Sequence, residues 1–167
     1  MLFHEHIDSP IGPLLLVADE YGLVAVGLPK RGAAQRAPED GRHAPSKLHA
    51  ARRQFEEYFA GVRQEFELPL HPSGTPFQLE VWGAVLAIPY GETVSYAEIA
   101  RRIGRARAVR AVGAANGANP LAIVVPCHRV IGRHGDLTGY GGGLPAKRWL
   151  LAHERRHAPP RALVLEA

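Results

Sequence analysis

At Leu70-His71-Pro72-Ser73-Gly74-Thr75-Pro76, proline and glycine interrupt regular periodicity, and the patterning differs on the two sides of the break. Upstream, two apolar runs, Leu14-Leu15-Leu16-Val17-Ala18 and Leu23-Val24-Ala25-Val26-Gly27-Leu28, are separated by Asp19-Glu20-Tyr21-Gly22 and read as a β-hairpin. A further strand is expected before Ser9-Pro10. From Pro29 to Pro45 the composition shifts to Gly, Ala, Arg and Pro, which predicts a long exposed loop. Ser46 then opens a predicted helix with Leu48, Phe55, Tyr58 and Phe59 on one side and Gly61 at its end. This upstream part is a small α/β unit in which the residues show no chemistry. The break predicts two domains, 1–72 and 73–167, and a chain of 167 residues that is 46% apolar can bury a core of that kind.

Downstream the chain turns mostly helical. Phe77, Val81, Trp82, Val85 and Leu86 form an apolar stripe ending at Pro89-Tyr90-Gly91. Ser95-Tyr96-Ala97-Glu98 has the spacing of a capping box and opens a second helix through Ile99 and Ile103 to Gly104. After Arg105-Ala106-Arg107 a third helix runs from about Ala108 to Ala118. Two short helices joined by a glycine-containing turn read as a helix-turn-helix. On the third helix Arg110 is followed on one face by Gly113, Ala114 and Gly117, although each glycine costs about 1 kcal/mol of helix stability relative to alanine. A face so bare permits close approach, either of another helix or of a nucleic-acid groove into which Arg110 reaches. A narrow minor groove suits such small residues.

Asn119-Pro120 stops this helix and leads into Ile123-Val124-Val125-Pro126-Cys127-His128-Arg129, an apolar run that reads as a strand delivering the one cysteine of the chain. A lone cysteine is more often a small buried hydrophobe. Here Pro126 breaks strand pairing just before the thiol, and His128 and Arg129 supply the basic surroundings that favour a thiolate. A single cysteine excludes an internal disulfide framework and a Cys-rich zinc site, and fits a reducing, cytoplasmic compartment. The histidines at 4, 6, 43, 49 and 71 form no closed ligand set, so no metal is expected. Beyond the thiol, Gly132 to Thr138 reads as a hairpin or wing. Gly139-Tyr140-Gly141-Gly142-Gly143 reads as a flexible turn or a lid, and lacks the Gly-Lys-Ser/Thr of a phosphate-binding loop. The last predicted helix, Pro145 to about Glu154, carries Trp149, Leu150 and His153 on an apolar side with Glu154 at its edge. An acidic residue in a last turn opposes the helix dipole, so Glu154 is either an ordinary surface residue or one that serves a buried site. The net charge of +4 and pI near 9.6 favour an anionic partner. Neither a signal peptide nor an apolar run of ~18 residues is visible, so secretion and membrane spanning are not expected.

Pro126-Cys127-His128-Arg129, with Asn119-Pro120 before it and Tyr140-Gly141-Gly142-Gly143 and Leu150-Leu151-Ala152-His153-Glu154 after it, resembles the O6-alkylguanine-DNA alkyltransferases, also called methylated-DNA–protein-cysteine methyltransferases. The resemblance is strong from Phe77 to Glu154 and looser upstream. It implies an α/β fold: an N-terminal ribonuclease-H-like domain, then a mainly helical winged helix-turn-helix domain that binds the minor groove of double-stranded DNA containing O6-alkylguanine. It further implies that Cys127 accepts the alkyl group, that His128 is the base acting through a bound water, and that Glu154 orients the imidazole. By the same resemblance Asn119 is a hinge bracing the active-site turn and Arg110 fills the space of the extruded nucleotide, on a DNA-facing helix that includes Ala111, Gly113, Ala114 and Gly117. Tyr96 helps rotate the nucleotide out and hydrogen-bonds the guanine, and the carbonyls of Cys127 and Val130 accept from its amine. Tyr140 and Gly141 form the lid; some members have serine at the position of Gly141, which keeps only its backbone N–H.

Elementary chemistry agrees with this implied role. A guanine O6 inside the base stack is out of reach, so the nucleotide must leave the helix. A thiol of pKa ~8.5 is only slightly ionised at neutral pH and needs a base. In an extended chain Cys127 and His128 point to opposite faces, which makes a bridging water the natural relay. The thioether product has no route back, so one molecule repairs one lesion; O4-alkylthymine is a second candidate substrate. No cofactor is implied. The structural zinc of some members is not carried over, since the N-terminal unit has no cysteine, and a cytoplasmic monomer is expected. Two other classes stand beside this one. A non-enzymatic alkyltransferase-like DNA binder would share the helices and pocket but lacks the cysteine. A thiol hydrolase or peroxidase would account for Cys127, His128 and Glu154 but not for the bare helix carrying Arg110.

Overall fold

The protein is described by a computed structural model covering residues 1–160. Strands β1 (Leu2–Ile7), β2 (Leu14–Ala18) and β3 (Leu23–Gly27) form an antiparallel meander, with β2 in register from Phe3 opposite Ala18 to Ile7 opposite Leu14. All five residues of β2 are buried, which is why that strand reads as an unbroken apolar run. The hairpin turn closes on Asp19, whose Oδ1 accepts the backbone N–H of Tyr21 at 2.8 Å and of Gly22 at 3.0 Å. Asp19 Oδ2 also meets His71 Nδ1 at 2.6 Å, so that histidine has a definite partner.

The expected loop from Pro29 to Pro45 contains a strand. β4 (Gly41–His43) pairs parallel with the free edge of β1 and completes the sheet in the order β3-β2-β1-β4. A 3₁₀ turn at Pro45–Lys47 precedes α1 (His49–Phe59), which lays Ala51, Phe55 and Tyr58 into the core. Ser46 lies in that turn and does not cap the helix. Gly61 follows the helix with φ +80, the left-handed conformation expected of a residue just past a C-cap.

α2 (Pro76–Leu86) opens with a complete capping box between Thr75 and Gln78, and buries Val81, Trp82 and Val85 while Leu86 stays exposed. β5 (Val94–Ser95) leads into α3 (Tyr96–Arg102), and α4 (Val109–Gly117) follows. Only half of the box expected at Ser95 forms. Its hydroxyl accepts the N–H of Glu98 at 3.0 Å, but the Glu98 carboxylate turns to Arg101 and Arg102. Trp82 Nε1 donates to the Ala115 carbonyl at 2.8 Å and pins α2 to α4. β6 (Val130–Ile131) pairs parallel with β5, and α5 (Leu144–His157) is the last helix among the described residues. The segment expected as a hairpin or wing is closed by the Gly132 N–H donating to Asp136 O at 2.8 Å, with no returning strand among the described residues. α5 runs past Glu154 to a basic last turn of Arg155, Arg156 and His157, so the helix end is not acidic.

One core runs through both halves. Leu14, Leu16 and Phe55 are continuous with Val81, Val85, Leu121 and Leu150, and Tyr58, Phe59 and Phe66 pack beside Tyr90 and Trp149. Gly142 carries the loop before α5 against the end of the sheet: a Cβ there would stand 2.6 Å from Leu28 Cδ1.

Candidate active site

The run before Cys127 is not the expected strand. Leu121 forms a single bridge to Val26, Ala122 bridges Val125, and Ile123 between them adopts φ +73 while 1% exposed. A β-branched residue avoids that region, so the turn is imposed by its surroundings. Asn119 supplies the constraint from both ends of its amide. Nδ2 donates to Val125 O at 2.8 Å, and Oδ1 accepts from the Leu121 N–H at 2.9 Å. The turn is also closed by backbone bonds, Val125 N–H to Leu121 O at 2.9 Å and Arg129 N–H to Pro126 O at 2.9 Å.

Cys127–Arg129 is a 3₁₀ turn, not extended chain. At three residues per turn the side chains fan out around the axis, so the opposite-face geometry expected of extended chain does not hold here. His128 and Arg129 turn inward to α5. Arg129 Nε donates to Glu154 Oε1 at 2.7 Å and Nη2 to Oε2 at 2.9 Å, while Nη1 donates to Ile88 O at 2.7 Å. The guanidinium therefore serves the carboxylate and not the thiol, a correction to the reading of its sequence position. His128 Nε2 lies 2.7 Å from Glu154 Oε2. A carboxylate only accepts, so Nε2 carries the hydrogen and Nδ1, which has no partner among the described residues, holds the lone pair. Burial would raise the Glu154 carboxyl, but His128 and Arg129 outweigh it and hold it well below the usual carboxylate range. Burial lowers His128, against the pull of Glu154, which favours the neutral imidazole.

Cys127 is 7% exposed and lines a cavity of about 200 Å³. That is below the roughly 300 Å³ at which sites for drug-sized ligands begin. α4 contributes Gly113, Asn116 and Gly117 to the wall, and Asn119, Tyr96, Tyr140 and Gly141 add to it. Val26, Leu28, Lys30 and Gln35 line it from the sheet side, so the cavity is shared with the half in which no chemistry was expected. Burial pushes the Cys127 thiol up, and Asn119, the Lys147 ammonium and Tyr140 oppose burial without overcoming it. The Tyr140 hydroxyl is buried, so its own acidity is suppressed. Tyr96 meets Thr138 Oγ1 at 2.7 Å, joining α3 to the loop before the lid. The two carbonyls singled out in the sequence already hold donors: Asn116 Nδ2 reaches Cys127 O at 3.3 Å, and the fully buried Lys147 reaches Val130 O at 2.8 Å. Arg110, Ala111 and Ala114 are exposed on α4 outside the cavity. Among the described residues no cluster of His, Cys, Asp and Glu stands ready to hold a metal ion, and no helix is long and apolar enough to cross a membrane.

Two family profiles match the chain, one described as the 6-O-methylguanine DNA methyltransferase ribonuclease-like domain over residues 2–72, the other as the DNA binding domain of the same methyltransferase over residues 76–156. The chain belongs to the 6-O-methylguanine DNA methyltransferase family. A methylated-DNA–protein-cysteine methyltransferase of Mycobacterium tuberculosis is 51% identical over 162 residues, covering 95% of this chain and 96% of the relative. One from Methanosarcina acetivorans is 48% identical over 153 residues, covering 92% and 98%. The crystal structure of the M. tuberculosis protein in complex with DNA superposes with a TM-score of 0.85 at 50% identity, over 94% of this chain and 95% of that one. The mixed architecture, an N-terminal sheet followed by a helical part, is the one seen in that methyltransferase structure.

Within this methyltransferase frame Tyr58, Lys147 and Asn116 are residues that the sequence reading did not assign to the site, Tyr58 having been read only as part of an apolar helix face. Lys147 had a visible signal, since it shares a helical face with Leu150, Leu151 and Glu154 at spacings of three, four and seven. Tyr58 had none. Its hydroxyl donates to Glu154 Oε2 at 2.6 Å across a separation of 96 residues.

Proposed function

We propose that this protein repairs DNA by moving the alkyl group from O6 of a guanine in double-stranded DNA onto Cys127, once per molecule. The observation that carries the reading is a buried thiol lining a cavity, next in the chain to a buried imidazole whose Nε2 is held by the Glu154 carboxylate and whose Nδ1 has no partner among the described residues. In the reaction the Cys127 proton passes through a water to His128 Nδ1. A sulfur lone pair forms the new S–C bond as the C–O6 bond breaks, and its electrons return to the guanine. The guanine takes a proton at N1 from water and the imidazolium returns its proton to water, so in net one proton moves from sulfur to guanine, and the product is a thioether. Glu154 holds the imidazole in the tautomer that leaves Nδ1 free and stabilises the imidazolium that forms.

The guanine reaches the cavity by leaving the duplex, and α4 is the element suited to cause this. Gly113, Ala114 and Gly117 let the helix approach the minor groove, with Ala111 beside them, while Arg110 enters the vacated stack. Tyr96 and the lid residues Tyr140 and Gly141 receive the base, with the Val130 carbonyl as an acceptor for its amine and Asn119 bracing the turn beneath. We read residues 1–72 as a ribonuclease-H-like domain and 73–167 as a winged helix-turn-helix domain, and the protein as a cytoplasmic monomer that needs no cofactor.

With methylated duplex in excess, repaired guanine is expected to plateau at one equivalent per protein, and intact mass to rise by one methyl group on Cys127. Continued turnover without a thiol reductant would rule the reading out.

A further inference from the structure

Oε2 of Glu154 is crowded. It faces His128 Nε2 at 2.7 Å and accepts from Arg129 Nη2 at 2.9 Å and the Tyr58 hydroxyl at 2.6 Å, whereas Oε1 takes Arg129 Nε. Two of these donors belong to the turn carrying Cys127. The third comes from α1, in the other half of the chain. Tyr58 grips α5 twice, because its carbonyl oxygen also meets His153 Nε2 at 2.8 Å. Its ring is fully buried between Phe59, Phe66, Tyr90 and His153. Burial and the adjoining carboxylate raise the hydroxyl well above the ordinary tyrosine range, so it is a donor at every physiological pH.

We propose that Tyr58 is a positioning residue for alkyl transfer, its hydroxyl holding the Glu154 carboxylate in place against His128. The inference rests on the alkyl-transfer reading and adds the N-terminal unit to the machinery. Three donors share the charge of one carboxylate oxygen. When one is removed, more of that charge falls on the His128 Nε2–H, which stabilises the imidazolium, and the carboxylate loses its restraint on one side. A base must be neutral to act, so the acid limb of the rate profile then moves to higher pH. The other ionisable groups around the pair are Arg129 on the turn, Lys147 and His153 on α5, Tyr90 after α2, and Cys127 and Tyr140 on the cavity side. In Tyr58→Phe the ring and backbone that touch Tyr90 and His153 remain, and only the hydroxyl facing Glu154 is lost.

The test compares the full-length wild type, Tyr58→Phe and Phe66→Leu, the last a change in the same aromatic cluster that touches no polar partner. Single-turnover transfer is measured against pH with methylated duplex and with free O6-benzylguanine, and thermal melting establishes that each variant is folded. Tyr58→Phe is expected to slow transfer about ten-fold with both substrates, the scale of one hydrogen bond to a charged group, and to shift the acid midpoint upward. Phe66→Leu is expected to melt earlier with its midpoint unmoved. Wild-type rate and midpoint in Tyr58→Phe, or the same shift in Phe66→Leu, would reduce Tyr58 to packing. If the wild type itself placed no alkyl group on Cys127, the alkyl-transfer reading would fall first and this one with it.

Discussion

Cys127 sits where burial keeps its proton on, and that makes the thiol dependent on its neighbours. Replacing it with serine preserves shape and removes the nucleophile. Cys127→Ser is expected to lose alkyl transfer entirely while DNA affinity stays within a few fold, as read by label transfer and a binding titration; transfer that persists would put the acceptor elsewhere. Glu154→Gln keeps the side-chain volume but strips the charge facing Arg129 and His128. Single-turnover transfer should fall roughly ten- to hundred-fold, part of the 10²–10⁴ that a positioned base supplies. An unchanged rate in a folded variant would leave Glu154 a structural residue only. The sequence pointed to these two residues by different means. Cys127 stands out through its immediate neighbours, whereas Glu154 is visible only as an acid beside an apolar helix face. Tyr58 is invisible in that sense, because an apolar stripe on α1 looks the same whether or not its hydroxyl has a partner elsewhere in the fold.

Among the elements, α4 has a job that its exposure makes testable. If Arg110 only meets phosphate, Arg110→Ala should weaken binding to all DNA and reduce the salt slope by about one. If it fills the gap left by the base, the same change should slow repair of duplex far more than reaction with free O6-benzylguanine, and that is the expected result. Equal slowing of both would assign Arg110 to the cavity itself. α1 and α5 were open to sequence reading because burial writes a period of 3.6 into them, whereas α2, apolar on more than one face, leaves Leu79 and Leu86 exposed. β4 was not. Gly41-Arg42-His43 has no β pattern, and its pairing is provided by the vacant edge of β1. The Ile123-Val124-Val125 run misleads in the opposite direction: β-branched residues announce a strand, and the Asn119 amide overrides them with a turn.

Across the whole molecule, the paired carboxylate ties stability to pH. Glu154 has a folded-state pKa below its unfolded value, so its contribution is fully present above the ordinary carboxylate range, near 4.3, and is lost as pH falls through the folded value. Melting temperature should therefore drop on acidification below about pH 4.3, and drop less in Glu154→Gln, which should already be less stable at neutral pH by ~3 kcal/mol because the Arg129 charge is left buried and poorly matched. Parallel melting curves for the two proteins from neutral to acid pH would deny the pair that role. The lone thiol of the chain also changes what quantity describes the protein in use. With one thiol per chain, set in a cavity and 7% exposed, each molecule is a single dose. Protection then scales with copies present and not with time allowed: a population meets lesions like a titrant, linearly until it is exhausted, and fresh synthesis sets the recovery. Thiol counts on a recovered sample would read the unspent fraction directly.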